Sequence, residues 1–230
     1  MTGDSVLVIA AHADDEVLGC GGTIARYVSE GSDVHILVLA DGVTARDADY
    51  QPKSRLRDVE DREAVARNAA SILGASPPIF LRLPDNRCDS VPLIEVVKKI
   101  EKVVDSLRPE TIFTHHANDL NVDHRVAHIA TLTASRPQPG MCVRSIYAFE
   151  NLSSTEWAPA GLGEKFHPTR YVDIGAHTQA KLEALAAYYT EVRSFPHPRS
   201  PEAVESLWRT RGAQVGVQAA EAFVVVREVI

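Results

Sequence analysis

The feature that most limits the fold of this chain is a short apolar run followed at once by a charged one. Val6 to Ala11 is uninterrupted apolar sequence with two valines and an isoleucine, which predicts a buried strand of a parallel sheet. The run His12-Ala13-Asp14-Asp15-Glu16 begins where that strand ends. Ligands of open α/β sheets bind at the carboxyl ends of strands, so we expect the chemistry to begin at His12.

This polar run is unusually acidic. One imidazole and three carboxylates within five residues would repel one another unless a cation or several hydrogen-bond donors lay among them. A bound metal ion is the simplest explanation. The alternative is that Asp14 or Asp15 only caps the following helix, which accounts for one carboxylate and leaves His12 unexplained.

The rest of the chain predicts one α/β domain. Helical spacing of apolar residues follows the acidic run, and Val34 to Leu39 predicts a second buried strand, which together form the strand-helix-strand unit of a parallel sheet. No repeat or linker interrupts residues 1–230. We therefore expect a single Rossmann-like α/β/α domain of three layers with a mostly parallel sheet. Further predicted strands lie at 79–81, 111–114, 143–149, 171–174 and 223–226.

A second polar stretch follows the strand predicted at 111–114. It runs from His115 to His124 and is rich in His, Asn and Asp. Catalytic zinc sites use three protein ligands of the His and carboxylate type and leave one position open for water. His12, Asp15 and His124 meet that count.

Two neighbouring carboxylates then have predicted roles. Asp14, adjacent to Asp15, is free to act as general base on a zinc-bound water, whose pKa zinc lowers to about 7. Asp123, beside His124, is placed to orient a histidine ligand.

Composition excludes several classes of protein. The net charge of −7 and the absence of a basic run argue against nucleic acid as a partner. Cys20, Cys88 and Cys142 are odd in number and widely spaced, which predicts reduced thiols in a cytoplasmic protein. We expect neither a signal peptide nor an integral membrane segment, because the first apolar run is too short.

A dinucleotide-binding module is the first alternative. Gly19-Cys20-Gly21-Gly22 follows the first strand, and Asp41 follows the second, as in a nucleotide-binding fingerprint. Ile24 stands where the third glycine belongs, and the acidic run would face the pyrophosphate. We expect these glycines instead to let the first helix pack closely on the sheet.

His12-Ala13-Asp14-Asp15-Glu16 together with Asn121-Val122-Asp123-His124 resembles the paired signature of the LmbE-like, or PIG-L, family of zinc-dependent N-deacetylases. Such enzymes remove acetyl from N-acetylglucosamine groups in glycolipids, thiol precursors, chitobiose and glycopeptide antibiotics. The resemblance implies Zn²⁺ on His12, Asp15 and His124, Asp14 as base and Asp123 as supporting carboxylate. It also implies a homo-oligomer whose C-terminal part, about 141–230, completes a pocket for a small N-acetylated sugar or sugar conjugate.

The chain departs from the family pattern at Ala13, where proline is usual, and at Asn121, where many relatives have a histidine that stabilises the oxyanion or protonates the amine. An asparagine amide can donate a hydrogen bond to an oxyanion, worth about 3 kcal/mol, but cannot deliver a proton. Relatives bring a histidine from the C-terminal region, so His197 is the candidate acid and His116 the reserve.

Polar side chains of the surrounding loops are the predicted substrate contacts. Arg57 is included because relatives use an arginine of the corresponding helix. Residues 40–53 predict a surface loop at the active face, and the irregular stretch 150–170 predicts a lid or partner contact. A same-family amidase acting on a thiol-sugar conjugate, and a metal-binding relative with little activity, stay open as alternatives. The predicted substrate contacts are Asp41, Arg57, Asp85, Arg87 and His116.

Overall fold

The computed structural model describes residues 4–46 and 52–230. Within these ranges the strands form one sheet in the order β3-β2-β1-β4-β5-β7-β6. The first five strands of that order are parallel, and β7 runs antiparallel to both β5 and β6. The strands are β1 (Ser5–Ala10), β2 (Asp33–Ala40), β3 (Ile79–Leu83), β4 (Thr111–His115), β5 (Ser145–Phe149), β6 (Arg170–Asp173) and β7 (Ala220–Arg227).

Helices cover both faces of the sheet. Side chains of β1 alternate between two apolar clusters, with Val6 and Val8 in one and Leu7 and Ile9 in the other, as the two-residue period of a strand requires. The prediction of a single three-layer α/β domain is confirmed. No helix of the described ranges combines the length and apolarity needed to cross a membrane. The helices are α1 (Asp15–Ser29), α2 (Leu56–Leu73), α3 (Leu93–Leu107), α4 (Val122–Ala134), α5 (Thr178–Ala187) and α6 (Pro201–Val215).

The strand order creates a crevice beside β1. From β1 the chain moves outward to β2 and β3 on one side, then returns to β4 and β5 on the other. Where the order reverses in this way, the loops at the carboxyl ends of the strands separate and leave room for a ligand. The polar loops that follow β1 and β4 both open into this region, because the two strands are parallel neighbours.

The glycines of α1 are required by close packing. A Cβ at Gly19 would overlap the ring of Phe149 on β5, and one at Gly22 would lie 2.8 Å from Ile174. Real side chains essentially never approach so closely. These contacts confirm that the glycines bring α1 against the sheet and its neighbours.

A buried ion pair stabilises a break in α1. The backbone leaves helical geometry at Cys20 (φ −149°, ψ 24°), which exposes carbonyl groups of the first half and N–H groups of the second. Lys181 Nζ donates to the Leu18 carbonyl (2.8 Å), while the Glu221 carboxylate accepts the N–H of Thr23 (2.7 Å). Lys181 and Glu221 also bind each other at 2.6 Å. Each half-helix thus meets the charge that its terminus favours.

The loop after β2 differs from its prediction as a surface loop. Residues 41–44 are buried, because the Asp41 carboxylate accepts the backbone N–H groups of Val43 (3.1 Å) and Thr44 (3.0 Å) and satisfies the turn internally. Of the predicted loop 40–53, residues 47–51 lie outside the described ranges.

Replacing Lys181 with methionine is expected to lower the free energy of unfolding by about 3–5 kcal/mol, because the Glu221 carboxylate is left buried without its cation. Adding Glu221→Gln to this variant should recover part of the loss. Urea denaturation measures both effects. A double variant no more stable than Lys181→Met would contradict this account of the break.

Candidate metal centre and active site

Three side chains from separate elements converge at the crevice. His12 follows β1, Asp15 begins α1 and His124 lies in the first turn of α4. Asp15 Oδ2 is 3.2 Å from His12 Nδ1 and 3.3 Å from His124 Nε2, and all three side chains are buried. The two polar loops predicted to meet therefore do so through these residues.

This arrangement fits a divalent metal ion. Apart from the 3.3 Å contact with Asp15 Oδ2, the buried His124 Nε2 has no hydrogen-bond partner, which is costly unless another group satisfies it. In a tetrahedral zinc site with bonds of about 2.0–2.1 Å, ligand atoms lie about 3.3 Å apart, close to the separations of Asp15 Oδ2 from the two imidazole nitrogens. Two imidazoles and one carboxylate are also a donor set typical of catalytic zinc.

Two carboxylates lie at the other nitrogen of His12. Asp123 Oδ2 is 3.2 Å and Asp85 Oδ1 is 3.1 Å from His12 Nε2. Asp123 is itself held by the backbone N–H groups of Asn86 (2.7 Å) and Cys88 (2.9 Å). Asp123 thus lies where an orienting carboxylate must lie. Asp85, predicted as a substrate contact, instead faces His12.

His124 has a corresponding neighbour that the sequence reasoning missed. Asp119 Oδ1 lies 3.1 Å from His124 Nδ1, and the hydroxyl groups of Ser154 and Thr155 donate to the Asp119 carboxylate. Burial favours a high pKa for Asp119, but its contacts with His124 and His115 lower this pKa to about 2. Asp119 is an acid of the predicted loop 115–124, yet no local spacing distinguished it.

The carboxylates make both candidate histidine ligands strongly basic. Burial lowers the pKa of His12, but Asp123, Asp15 and Asp85 outweigh burial and raise this pKa well above 6.5. Burial likewise opposes protonation of His124, while Asp15 and Asp119 raise its pKa to about 9. Without a metal ion these carboxylates therefore favour the protonated form of both imidazoles. A divalent cation would supply the same positive charge.

His115, at the end of β4, has a lowered pKa, in contrast to the raised values of His12 and His124. Burial and the neighbouring His124 lower the pKa of His115 to about 4. Its Nε2 accepts the N–H of Ala11 at 2.9 Å, and its ring stacks on His124 with centroids 3.9 Å apart. A neutral His115 therefore joins the ends of β1 and β4 beneath the site.

Asp14, the predicted base, has strained backbone geometry. Its φ of 134° with ψ of −24° is a conformation that residues with a Cβ rarely adopt. The Asp14 side chain makes no hydrogen bond to the helix terminus, so the interpretation of Asp14 as a simple helix cap is wrong. The Asp14 N–H instead donates to the Glu16 carboxylate at 3.0 Å.

The Asp14 carboxylate is buried between arginines. Arg199 Nη1 lies 3.0 Å and Arg62 Nη2 3.8 Å from Asp14 Oδ2. Burial raises the pKa of Asp14, and although the arginines oppose this, the pKa stays above its ordinary value. Arg199 lies two residues after His197, so the sequence reasoning reached this segment but not this residue.

Asn121 is engaged in the local structure. Its Oδ1 accepts the N–H of Asp123 (2.8 Å) and caps α4, and its Nδ2 donates to Asn86 Oδ1 (2.9 Å). An amide nitrogen carries two hydrogens, so one further donor remains for a ligand. The oxyanion-binding role of Asn121 stays a prediction.

The two candidate acids lie in loops, His116 directly after β4 and His197 shortly before α6. His197 Nδ1 accepts the N–H of Arg199 at 3.0 Å, and its ring meets Trp157 edge to face at 6.1 Å. His116 is buried and packs edge-on against Phe166. In the described contacts Arg199, not His197, reaches Asp14. The catalytic roles of both histidines stay predictions.

The predicted substrate contacts have different surroundings. The Asp41 carboxylate binds Thr44 Oγ1 at 2.9 Å as well as the turn N–H groups, so it is used within its own loop. Arg57 is exposed on α2, whereas Arg62 of the same helix donates to the Ala13 carbonyl at 2.6 Å. The arginine that α2 supplies to the site is therefore Arg62. Arg87 is half-buried in the loop after β3.

Comparison with known proteins identifies a family. Residues 7–135, more than half of the chain, match the PIG-L family model, described as GlcNAc-PI de-N-acetylase. This range contains all three candidate metal ligands and both polar loops.

Individual relatives extend the similarity over most of the chain. A 1D-myo-inositol 2-acetamido-2-deoxy-alpha-D-glucopyranoside deacetylase of Rhodococcus erythropolis is 28% identical and covers 83% of this chain and 82% of its own. A 4-oxalmesaconate hydratase of Pseudomonas putida is 31% identical and covers 82% and 78%. The conserved protein TT1542 of Thermus thermophilus superposes with a TM-score of 0.75 at 28% identity and covers 99% and 96%.

Zinc uptake at pH 7 is expected to release protons, because the surrounding carboxylates raise the pKa of His12 and of His124, and both imidazoles must be neutral to bind a metal. The affinity should therefore fall as the pH is lowered. Calorimetric titration in buffers of different ionisation enthalpy measures the proton count. Binding without proton release would contradict the raised pKa values of the two imidazoles.

The strain at Asp14 predicts a difference between two variants that both lack the carboxylate. Asp14→Gly should be more stable than Asp14→Ala by about 1 kcal/mol or more, because only glycine adopts this φ without cost. Chemical denaturation of the two metal-free variants measures the difference. Equal stability would mean that the backbone relaxes once the carboxylate is removed.

Proposed function

Because the chain belongs to the PIG-L family, we propose that it is a zinc-dependent hydrolase that removes the acetyl group from an N-acetylated sugar or sugar conjugate. The observation that carries the proposal is the meeting of His12, Asp15 and His124 beside the buried carboxylate of Asp14. The deacetylase name of the Rhodococcus relative supports an N-acetylated sugar conjugate as the substrate class.

His12, Asp15 and His124 would hold the metal ion. A divalent ion in such a site polarises a carbonyl oxygen and lowers the pKa of a bound water to about 7. Asp123 and Asp85 orient His12, and Asp119 orients His124. Hydrogen bonds to the outer nitrogen of a ligating histidine fix its ring and increase its basicity.

Asp14 is the proposed proton acceptor. It takes a proton from water as the water oxygen bonds to the acetyl carbon, and the salt bridge with Arg199 holds its carboxylate in one orientation. The remaining N–H of Asn121 is the proposed donor to the carbonyl oxygen as negative charge develops there. Breaking the carbon–nitrogen bond then releases acetate and an amine.

The amine must receive a proton as it leaves. Asn121 has none to give, so we propose that the imidazolium form of His197 donates this proton and is left as a neutral ring. His116 is the second candidate. Arg87 and His116 are the proposed contacts to the rest of the substrate. Asp41 acts through its own turn, and the arginine that α2 supplies is Arg62 in place of Arg57.

A second candidate reaction is the hydration of an unsaturated carboxylate. The Pseudomonas putida relative named as a hydratase is 31% identical over 208 residues. Arg62 and Arg199 both lie at Asp14, where cationic side chains suit an anionic substrate. A proton acceptor beside a metal-held water would serve either reaction.

Acetate release from a panel of N-acetylated sugars tests the first proposal. The zinc-loaded wild type should release acetate, and Asp14→Asn should be slower by about 10²–10⁴-fold because it loses the proton acceptor. Both proteins should bind the same amount of zinc. Asp105→Asn, an exposed carboxylate on α3, is the matched control and should retain full activity.

The same assay separates the remaining candidates. His197→Gln should lower kcat if His197 protonates the amine, and unchanged kcat would leave Asp14 to return the proton itself. An unsaturated oxo acid is added to the panel as a second kind of substrate. Its consumption, with no acetate released from any N-acetylated sugar, would favour the hydration reaction. Activity of Asp14→Asn equal to that of the wild type would contradict Asp14 as base in both reactions.

A further inference from the structure

The loop that follows β5 contains three buried polar side chains with no role in the proposed chemistry. Asn151, Ser154 and Thr155 are 1%, 5% and 9% exposed, although the stretch 150–159 contains no helix or strand. Buried polar groups outside regular structure need specific partners. In this loop the partners are carboxylates of the candidate metal centre.

Asn151 determines how the two oxygens of Asp15 are used. Its Nδ2 donates to Asp15 Oδ1 at 2.7 Å, while Asp15 Oδ2 faces His12 Nδ1 and His124 Nε2. Because Oδ1 is occupied by the amide, the carboxylate cannot rotate without breaking this bond. Asn151 therefore selects the oxygen that faces the two imidazoles.

Ser154 and Thr155 bind the carboxylate of Asp119, which lies beside the candidate ligand His124. Their hydroxyl groups donate to the two oxygens of Asp119, with Thr155 Oγ1 at 2.6 Å from Oδ2. Asp119 Oδ1 in turn lies 3.1 Å from His124 Nδ1. These two hydroxyls fix the carboxylate that orients the His124 ring.

The loop is rigid enough to exert this control. The N–H of Asn151 donates to Thr155 Oγ1 (2.7 Å), and the N–H of Thr155 donates to the Asn151 carbonyl (2.9 Å). The Glu156 carboxylate accepts the N–H groups of Ser153 (2.6 Å) and Ser154 (3.2 Å). Thr155 Oγ1 thus accepts one hydrogen bond and donates another, which fixes its hydroxyl direction.

The same segment also reaches the proposed base. Ser153 Oγ accepts a hydrogen bond from Arg199 Nε at 2.7 Å, and Arg199 Nη1 donates to Asp14 Oδ2 at 3.0 Å. Four of the five residues 151–155 therefore connect to Asp14, Asp15 and, through Asp119, to His124.

We propose that Asn151, Ser154 and Thr155 are positioning residues that set the metal affinity and ligand geometry of the site, an inference that rests on the proposed metal-dependent function. They act through Asp15 and Asp119 and touch neither metal nor substrate. Removing partners of this kind typically weakens metal binding by about 10–100-fold.

The test measures metal binding rather than turnover. Asn151→Leu and Thr155→Val remove the donors at similar volume, and each should weaken zinc affinity by about 10–100-fold in competition with a chromogenic chelator. Thr155→Ser keeps the hydroxyl and should bind zinc almost as tightly as the wild type. The absorption spectrum of the Co²⁺-loaded protein should shift in the Leu and Val variants and remain unchanged in the Ser variant.

Glu156→Gln is the matched control, because the amide oxygen of glutamine still accepts a backbone N–H of the loop and residue 156 contacts neither Asp15 nor Asp119. It should leave zinc affinity and the Co²⁺ spectrum unchanged. Equal losses of zinc affinity in Glu156→Gln and Thr155→Val would mean that the three residues only stabilise the loop, which would overturn the inference. Wild-type affinity in Asn151→Leu and Thr155→Val would also overturn it, with the metal site intact. A wild-type protein that binds no zinc would instead refute the proposed function.

Discussion

The burial of several carboxylates at one edge of the sheet is the constraint on which the rest of the site depends. Asp14, Asp15, Asp119 and Asp123 are each at most 1% exposed, and ionised carboxylates so close together are stable only with compensating charge and hydrogen bonds. The compensation comes from imidazoles, arginines, backbone N–H groups and hydroxyls. The group best suited to the centre of such a set is a divalent cation.

The sheet explains why these groups meet. His12 follows β1, Asp85 follows β3, Asp119 follows β4 and Asn151 follows β5, and all four strands are parallel with carboxyl ends at one edge. Each loop therefore delivers its polar groups to the same region. The glycines and the buried ion pair of α1 support this geometry, because they hold the helix that begins at Asp15 against the sheet.

The adjacent carboxylates of Asp14 and Asp15 lie in different electrostatic surroundings, and their pKa values shift in opposite directions. Asp15 faces two imidazoles, and although burial opposes ionisation, His124 and His115 keep its pKa well below the ordinary value. Burial raises the pKa of its neighbour Asp14, whose carboxylate meets arginines instead. Different pKa values in adjacent carboxylates suit Asp15 to the proposed role of ligand and Asp14 to that of proton acceptor. The strained backbone of Asp14 is consistent with this division, because it turns adjacent side chains toward different partners.

The sequence by itself determined the α/β class, the strands and the three candidate metal ligands, because strand periodicity and the placement of two polar stretches after predicted strands are local features. Which side chains bind the site residues was decided only by the tertiary structure. Asn151 meets Asp15, Arg199 meets Asp14 and Glu221 meets Thr23 across large sequence separations, and no local pattern encodes them. The same limit explains why Arg62 rather than Arg57 reaches the site: both lie on α2, and only packing against α1 and α5 selects the helix face that turns inward.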